Sequence, residues 1–339
     1  MKLNICIMFG GVSTEHSVSC MSAYNVIKYI SKDKYCIDII GIDVKGEFFK
    51  YTGDIENIRN NTWRSDVENL VKVESFALEF KKYDTIFPVL HGKGGEDGSI
   101  QGLFQMFKVK YVGCKIDGSS VGYNKILSKR LAKSIGIDIV KYTKFTKYEM
   151  LSNENILLKL IDEDLKYPLF VKPNKEGSSY GAKKVLSFGE LKEAIRDAFT
   201  FDDIVLVEKF IEDKKEVECA VLGNGYLMVS EPGEIVTDKD VYDFDDKYVD
   251  NTSSIVIPAN ISENKLMLIK QYSKEIFNCF NLSGLARVDF FVTKDRIYFN
   301  EVNTMPGFTD ISMYPKMMVN MGMTYSELID RLIESSLNG

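Results

Sequence analysis

The sequence predicts an α/β protein of two or three domains, the first built on a doubly wound, mostly parallel sheet. Three observations carry this reading. The chain has 339 residues, more than one compact core ordinarily encloses. Short apolar runs alternate with stretches of helical apolar spacing through its first third. Glycine-rich turns stand where two of those runs end, and the carboxyl ends of strands are where such sheets place their ligand loops.

Taken in order, Leu3 to Phe9 reads as a buried parallel strand. A turn follows at Gly10-Gly11-Val12-Ser13-Thr14-Glu15, then a helix from Ser17 to Ile30 and a second strand from Tyr35 to Ile42. Asp84 to Leu90 reads as a third strand, running into the loop His91-Gly92-Lys93-Gly94-Gly95-Glu96-Asp97-Gly98. A helix from Ser99 to Phe107 and a short strand at Tyr111-Val112-Gly113 close this part. A basic helix from Lys125 to Ile135 carries Lys125, Lys129, Arg130 and Lys133. Beyond it lie a strand, Leu169 to Pro173, and a second small-residue loop, Glu176-Gly177-Ser178-Ser179-Tyr180-Gly181. Gly189 to Phe199 has a helical Leu/Ala/Ile stripe, and Ile204 to Phe210 is a strand. Glu216 to Leu222 and Tyr226 to Ser230 pair as a hairpin. Glu234 to Ser254 is aspartate-rich, with several aromatics, and reads as a long active-site loop. Tyr325 to Leu337 is a final helix.

Bulk composition narrows the function. With 45% apolar and 27% charged residues, the chain is an ordinary globular protein rather than a disordered one. A net charge of −6 argues against a protein that coats nucleic acid. A polyanionic ligand would have to be met by local clusters of lysine. No apolar run reaches membrane-spanning length. The six cysteines form no C-x-x-C pair and only two histidines, His16 and His91, are present, which disfavours a Cys/His zinc site. Buried reduced thiols in a cytoplasmic protein are expected.

The most informative segment is Ala286-Arg287-Val288-Asp289-Phe290 followed by Asn300-Glu301-Val302-Asn303-Thr304-Met305-Pro306-Gly307. Two apolar strand-like runs are joined by Thr293-Lys294-Asp295-Arg296. Alternation along a strand puts Arg287 and Asp289 on one face, and Glu301 and Asn303 on one face. Two carboxylates and a carboxamide are hard oxygen donors suited to Mg²⁺. An arginine beside them is what phosphoryl transfer needs against negative charge developing in the transition state. The plainer alternative is a solvated charged hairpin edge.

The other motifs are individually weaker. In the loop 176–181 the small residues let backbone N–H groups approach phosphate, with Lys172 as a point charge on the strand before it. The loop lacks the closing G-K-[ST] of a Walker A motif, and Gly10-Gly11 does not fit G-x-G-x-x-G. A plain turn explains it as readily. Glu208-Lys209 at a strand end could read the amino edge of adenine, or be an ion pair. His91 sits in a glycine-rich loop, where it is either functional or a structural hydrogen-bonding residue. Glu15 follows a turn and is either an ammonium ligand or an acid favoured at a helix start. The methionines from Met313 to Met323 read as packing.

In this order, the set from the Gly-Gly turn to N-E-x-N-T-x-P-G-F resembles the D-alanine–D-alanine ligase family of the ATP-grasp superfamily, over essentially the whole chain. The resemblance implies an ATP-grasp fold of three α/β domains: a Rossmann-like pre-ATP-grasp domain at 1–120, a central domain at 121–208 and a C-terminal domain at 209–339 with the lid loop 234–254. It implies ATP gripped between the second and third domains by Lys125, Lys172, Ser179, Glu208, Lys209 and Glu216. Lys247 is placed at the γ-phosphate, and Asp289, Glu301 and Asn303 hold two Mg²⁺ ions, with Mn²⁺ as the alternative metal. By the same resemblance Glu15, Ser178 and Tyr248 locate the first D-alanine. His91, Arg287, the Gly307 backbone, Ser312 and Met313 surround the second substrate and the transition state. The implied reaction joins two D-alanines through a D-alanyl phosphate for peptidoglycan synthesis, in a cytoplasmic homodimer with neither nucleic acid nor membrane as partner. The alternatives are D-serine as second substrate or another carboxylate–amine ligation by an ATP-grasp enzyme. Met313, where D-serine-adding relatives usually carry arginine, suits a methyl group better than a hydroxyl.

Overall fold

The computed structural model describes residues 2–236 and 254–338. Three sheets follow one another along the chain, and the candidate site lies where the elements between them converge.

The first sheet has the order β4-β3-β2-β1-β5, with β1 (Leu3–Gly10), α1 (His16–Tyr29), β2 (Tyr35–Ile42), β3 (Phe48–Tyr51), β4 (Leu70–Lys72) and β5 (Thr85–Val89). β1 is parallel to both β2 and β5, so the expected parallel core is present, flanked by β1's crossover helix. β3 and β4 add antiparallel strands that the sequence reading omits; at four and three residues they carry too little periodicity to register. The expected strand Tyr111-Val112-Gly113 is instead a single parallel bridge between Tyr111 and Ile86. Gly113, at φ +105°, turns the chain out of the sheet.

Helices α2 (Ser99–Met106), α3 (Ile116–Tyr123) and α4 (Lys125–Ser134) lead out of this sheet. The second sheet, β6-β9-β7-β8, is antiparallel throughout. Its members are β6 (Tyr142–Thr146), α5 (Lys147–Leu165), β7 (Leu169–Pro173), β8 (Lys183–Val185), α6 (Phe188–Ala198) and β9 (Ile204–Lys209). Leu158, Ile161, Leu191 and Ile195 of the two helices pack against Leu169, Val171, Val205 and Val207.

The third sheet contains β10 (Lys215–Gly223), β11 (Met228–Val229), β12 (Gly233–Val236), β13 (Ser254–Val256), β14 (Gly284–Val292) and β15 (Ile297–Asn303), with α7 (Glu263–Cys279) before β14. Its order is β13-β12-β10-β14-β15, with β11 pairing back onto β10 as the expected hairpin. The proposed long loop 234–254 is shorter at both ends. Glu234 to Val236 and Ser254 belong to paired strands, with Val236 opposite Ser254. Lys247, Tyr248 and the rest of 237–253 lie outside the described residues.

Helices α8 (Met313–Asn320) and α9 (Tyr325–Asn338) complete the structure. Leu328, Ile329, Leu332 and Ile333 of α9 share one core with Ile5, Ile7 and Phe87 of the first sheet. Ser336 Oγ and Thr85 Oγ1 are hydrogen-bonded at 2.8 Å, and Lys34 pairs with Asp330 at 2.6 Å. Met313, Met317, Met318 and Met323 are buried here, as expected of packing residues, whereas Met321 is exposed. All six cysteines are free; Cys6, Cys20, Cys114 and Cys219 are buried, but Cys36 is exposed and Cys279 only half-buried, contrary to the uniform burial expected. Among the described residues no helix is long and apolar enough to cross a membrane.

Candidate active site

The site is organised by three adjacent strands. β14 and β15 pair so that Arg287 faces Asn303 and Asp289 faces Glu301, with a bulge just after Asp289. On the other side of β14, Glu218 of β10 faces Asp289. Glu218, Asp289 and Glu301 therefore form a row of carboxylates across the sheet, as strand alternation requires. Arg287 neutralises part of that row. Its Nε and Nη2 donate to the two Asp289 oxygens at 2.8 Å each, and Nε is 2.8 Å from Glu218 Oε2. Asn303 Nδ2 donates to Asp289 Oδ2 at 2.9 Å, and Lys125 Nζ lies 3.3 Å from Glu301 Oε2.

A cleft opens between the second and third sheets. One end is aromatic and apolar, with Phe170, Phe210, Ile211 and Phe291; the other is polar, with Lys125, the loop 176–180, Asp289 and Glu301. Lys172, Glu208, Lys209, Lys214 and Glu216 also line it. Glu208 is buried and ion-paired at 2.9 Å to both Lys172 and Lys129. Burial pushes its carboxyl up, but the two ammonium groups more than offset this and hold it below the usual range. Lys172 also donates to Asn300 Oδ1 at 3.2 Å. The Lys209 ammonium donates to the carbonyls of Lys166 and Tyr167 at 3.1 and 3.0 Å. Glu216 is paired with Lys214, whose ammonium lies 4.1 Å from the Phe291 ring centre. Ser178 and Ser179 both adopt positive φ, +46° and +62°, a conformation that non-glycine residues keep where surrounding structure demands it, often at ligand loops.

A second cleft adjoins the first and shares Ser178, Glu218, Arg287 and Glu301 with it. Its further walls are Glu15, His91, Glu96, Asn303, the segment Met305-Pro306-Gly307, Ser312 and Met313. Ser178 Oγ donates to Glu15 Oε1. The approach of loop 176–181 to Glu15 needs glycine at 177, where a Cβ would stand 2.5 Å from Glu15 Oε2.

His91 is buried, with Nδ1 2.9 Å from the Met305 carbonyl and Nε2 3.0 Å from Ser22 Oγ. A carbonyl only accepts, so Nδ1 carries the proton and Nε2 accepts from the serine. Burial, then the positive field of Arg287, depresses its pKa to about 4. His91 thus reaches the cleft wall as a neutral ring whose nitrogens are both engaged, tying segment 305–308 to α1. Asn25 Nδ2 and Tyr325 OH, both donating to the Phe308 carbonyl, fix the same segment. Gly307 is required where Ser312 Oγ would lie 2.7 Å from a Cβ. Ser312 Oγ accepts from Thr309 N at 3.0 Å. Met313 is buried beside Gly233 and Ile257.

Three site residues were missed from sequence. Glu218 was legible as the alternate partner of Glu216 on one strand. Glu96 accepts from Gly92 N at 3.0 Å and Met305 N at 3.3 Å, and burial followed by the charge of Glu15 pushes its carboxyl up to about 8; it stood in a loop already singled out. Lys129, on the basic helix, points inward and is fully buried.

Two regions match known families: residues 4–114 match the D-ala D-ala ligase N-terminus and residues 131–334 the D-ala D-ala ligase C-terminus. The chain belongs to the D-alanine–D-alanine ligase family. A D-alanine–D-alanine ligase from Caldicellulosiruptor bescii is 41% identical over 99% of this chain and 95% of its own length. Among solved structures, the VanG D-Ala:D-Ser ligase from Enterococcus faecalis superimposes with a TM-score of 0.88 at 40% identity, covering 99% of this chain and 100% of that one. A D-alanine–D-alanine ligase from Bacillus anthracis complexed with ATP gives 0.76 at 27% identity, covering 99% and 98%. The three-sheet architecture of this family member is the ATP-grasp fold.

Proposed function

We propose that the chain joins two D-alanines at the expense of ATP, releasing ADP and phosphate. The observation that carries this is the meeting of two clefts at one guanidinium. The nucleotide-shaped cleft and the small, carboxylate-rich cleft share Arg287, Glu218, Glu301 and Ser178. A phosphoryl group leaving one would lie at the border of the other. The B. anthracis relative's complex with ATP supports ATP as the nucleotide.

In this reading the base occupies the aromatic end and the phosphates the loop 176–180, beside Lys125 and Lys172. The donor set of Asp289, Glu301 and Asn303 fits Mg²⁺: three hard oxygen donors in strand register, two of them now balanced by Arg287 and Lys125. Bound there, the metal would supply charge neutralisation for phosphoryl transfer. Among the described residues no three acidic, His or Cys side chains are gathered as a ready cage, so these donors would exchange their cationic partners for the ion.

Glu96, its carboxyl held largely protonated by burial and by its neighbour, leaves Glu15 as the carboxylate of this wall of the second cleft, suited to the ammonium of the first D-alanine. Its carboxylate oxygen attacks the γ-phosphorus, the bond to the bridging oxygen of ADP breaks, and an acyl phosphate results. The second D-alanine's amine then attacks the acyl carbon. The oxyanion forms beside Arg287 and collapses with loss of phosphate, and the amine's protons pass to solvent or phosphate. His91, neutral and doubly bonded, positions the 305–308 backbone rather than moving a proton. Lys247 and Tyr248 retain the roles the family resemblance implies. D-alanine is the second substrate because the thioether of Met313, not a polar group, faces that cleft. The assembly is a homodimer, which light scattering of the purified chain tests.

Phosphate release is to be followed with ATP, Mg²⁺ and D-alanine, alone and with D-serine or D-lactate added, with products identified by mass. D-alanyl-D-alanine as main product is expected. Absence of release with every D-amino acid overturns the proposal.

A further inference from the structure

We propose that Lys129 is a positioning residue for nucleotide selection: it holds ionised Glu208 at the base end of the cleft, where the carboxylate accepts from the amino group of adenine. The inference rests on the ATP-dependent reading above.

Lys129 lies on the inner face of α4 with none of its surface exposed, and Glu208 is 2% exposed. A carboxylate this deep is held charged only by close cations. It has two, Lys129 on Oε1 and Lys172 on Oε2, each at 2.9 Å. They differ in position. Lys172 lines the cleft and also reaches Asn300, whereas Lys129 does not line the cleft at all. Lys172 is therefore free to turn to a ligand, and Lys129 remains behind Glu208 as its standing counter-charge. The Lys129 ammonium meets one carboxylate oxygen at 2.9 Å, and an ionised carboxylate, with about four lone-pair sites on two oxygens, keeps accepting capacity beside it.

Glu208 stands directly opposite Phe170 across the β7–β9 pair, Phe170 is 6.4 Å from Phe210 between ring centres, and Lys214 joins Phe210 to Phe291, so the carboxylate borders the aromatic end of the cleft. That end is a slot for a planar base, and Glu208 is the anionic acceptor at its border. An exocyclic amine satisfies that acceptor. A base bearing a carbonyl there would set acceptor against acceptor in a dry pocket, an arrangement that discriminates strongly. Burial moves the Lys129 ammonium down to about 8, against the pull of Glu208, as expected of a lysine retained in the interior by one anion.

The test uses the full chain with Lys129→Met, which keeps the length of the side chain and removes its charge. KM and kcat are measured with ATP and with GTP in D-alanine-dependent phosphate release, and nucleotide affinity by calorimetry without D-alanine. The expected result is a KM for ATP at least about tenfold higher, kcat within about threefold, and an ATP-over-GTP preference at least about tenfold smaller. Lys129→Met/Glu208→Gln removes both charges, leaves no orphan ion if the single variant folds poorly, and is expected to match Glu208→Gln alone. Unchanged KM and preference in Lys129→Met, a loss confined to kcat, or a further fall in preference in the double variant beyond Glu208→Gln each overturn the proposal. Failure of the unmodified protein to release phosphate refutes the ligase reading alone, since the calorimetric ATP and GTP affinities still decide the role of Lys129.

Discussion

The Arg287 guanidinium grips both oxygens of the Asp289 carboxylate, Nε on Oδ1 and Nη2 on Oδ2, each at 2.8 Å. The two residues are neighbours on one face of one strand, so the fork is built into the strand's alternation. A planar fork is needed to hold a carboxylate this way and then to meet an oxyanion; an ammonium offers a point charge instead. Arg287→Lys is expected to lower kcat by about 10²- to 10³-fold with the KM for ATP little changed. Steady-state kinetics decide this, and a kcat within about tenfold would show that the planar geometry is not used.

Loop 176–181 reaches Glu15 only because residue 177 lacks a Cβ. Its φ is not in the left-handed region, so Gly177→Ala is acceptable to the backbone and conflicts only with the Glu15 carboxylate 2.5 Å away. The expected outcome is a KM for the first D-alanine about tenfold higher, a smaller rise in the KM for ATP, and unchanged far-UV circular dichroism. Unaltered D-alanine kinetics would mean that Glu15 makes no substrate contact.

His91 is neutral when folded, with a pKa of about 4 against an ordinary 6.5. A group whose folded pKa is depressed binds protons more readily in the unfolded chain. Its contribution is whole above pH 6.5 and is lost as pH falls toward 4. Between pH 7 and 4.5 the unmodified protein should lose more unfolding free energy than His91→Gln, by on the order of 2 kcal/mol. Urea unfolding at the two pH values measures this, and parallel losses in the two proteins would refute it.

Met313 gives the second-substrate wall its apolar character. Met313→Arg is expected to shift the product ratio toward D-alanyl-D-serine when both amino acids compete, at some loss of stability, since the side chain is buried near Gly233 and Ile257. Mass spectrometry of products from equimolar D-alanine and D-serine reads the ratio directly. An unchanged ratio would place second-substrate selection elsewhere.

What was legible in sequence divides by the range of the forces involved. The hairpin of Arg287, Asp289, Glu301 and Asn303 was readable because alternation and a short turn fix its register locally. The helix of residues 147–165 also carried a local signal: Thr146 and Glu149 form a reciprocal capping box at its start, and it went unused. Helix 116–123 carried none. Its sequence is rich in Gly and Ser, and a Cβ at Gly122 would lie 2.6 Å from Thr304, so glycine there lets the helix pack against the hairpin's end. Tertiary contact there overrides propensity. The burial of Lys129 was likewise beyond sequence, since a lysine on a basic helix face gives no sign of the carboxylate that receives it.

The helix of residues 325–338 forms one core with strands that begin at residue 3. During synthesis, α1 can cover part of the face of the first sheet that carries Ile5, Ile7 and Phe87, but the part packed by Leu328, Ile329, Leu332 and Ile333 stays open until residues 325–338 have left the ribosome. Folding cannot then proceed strictly from front to back, and the first sheet, though translated first, is among the last parts to be sealed. A nascent chain halted before residue 325 would expose that part of the face to other chains, and dependence on a chaperone should be greatest at that stage.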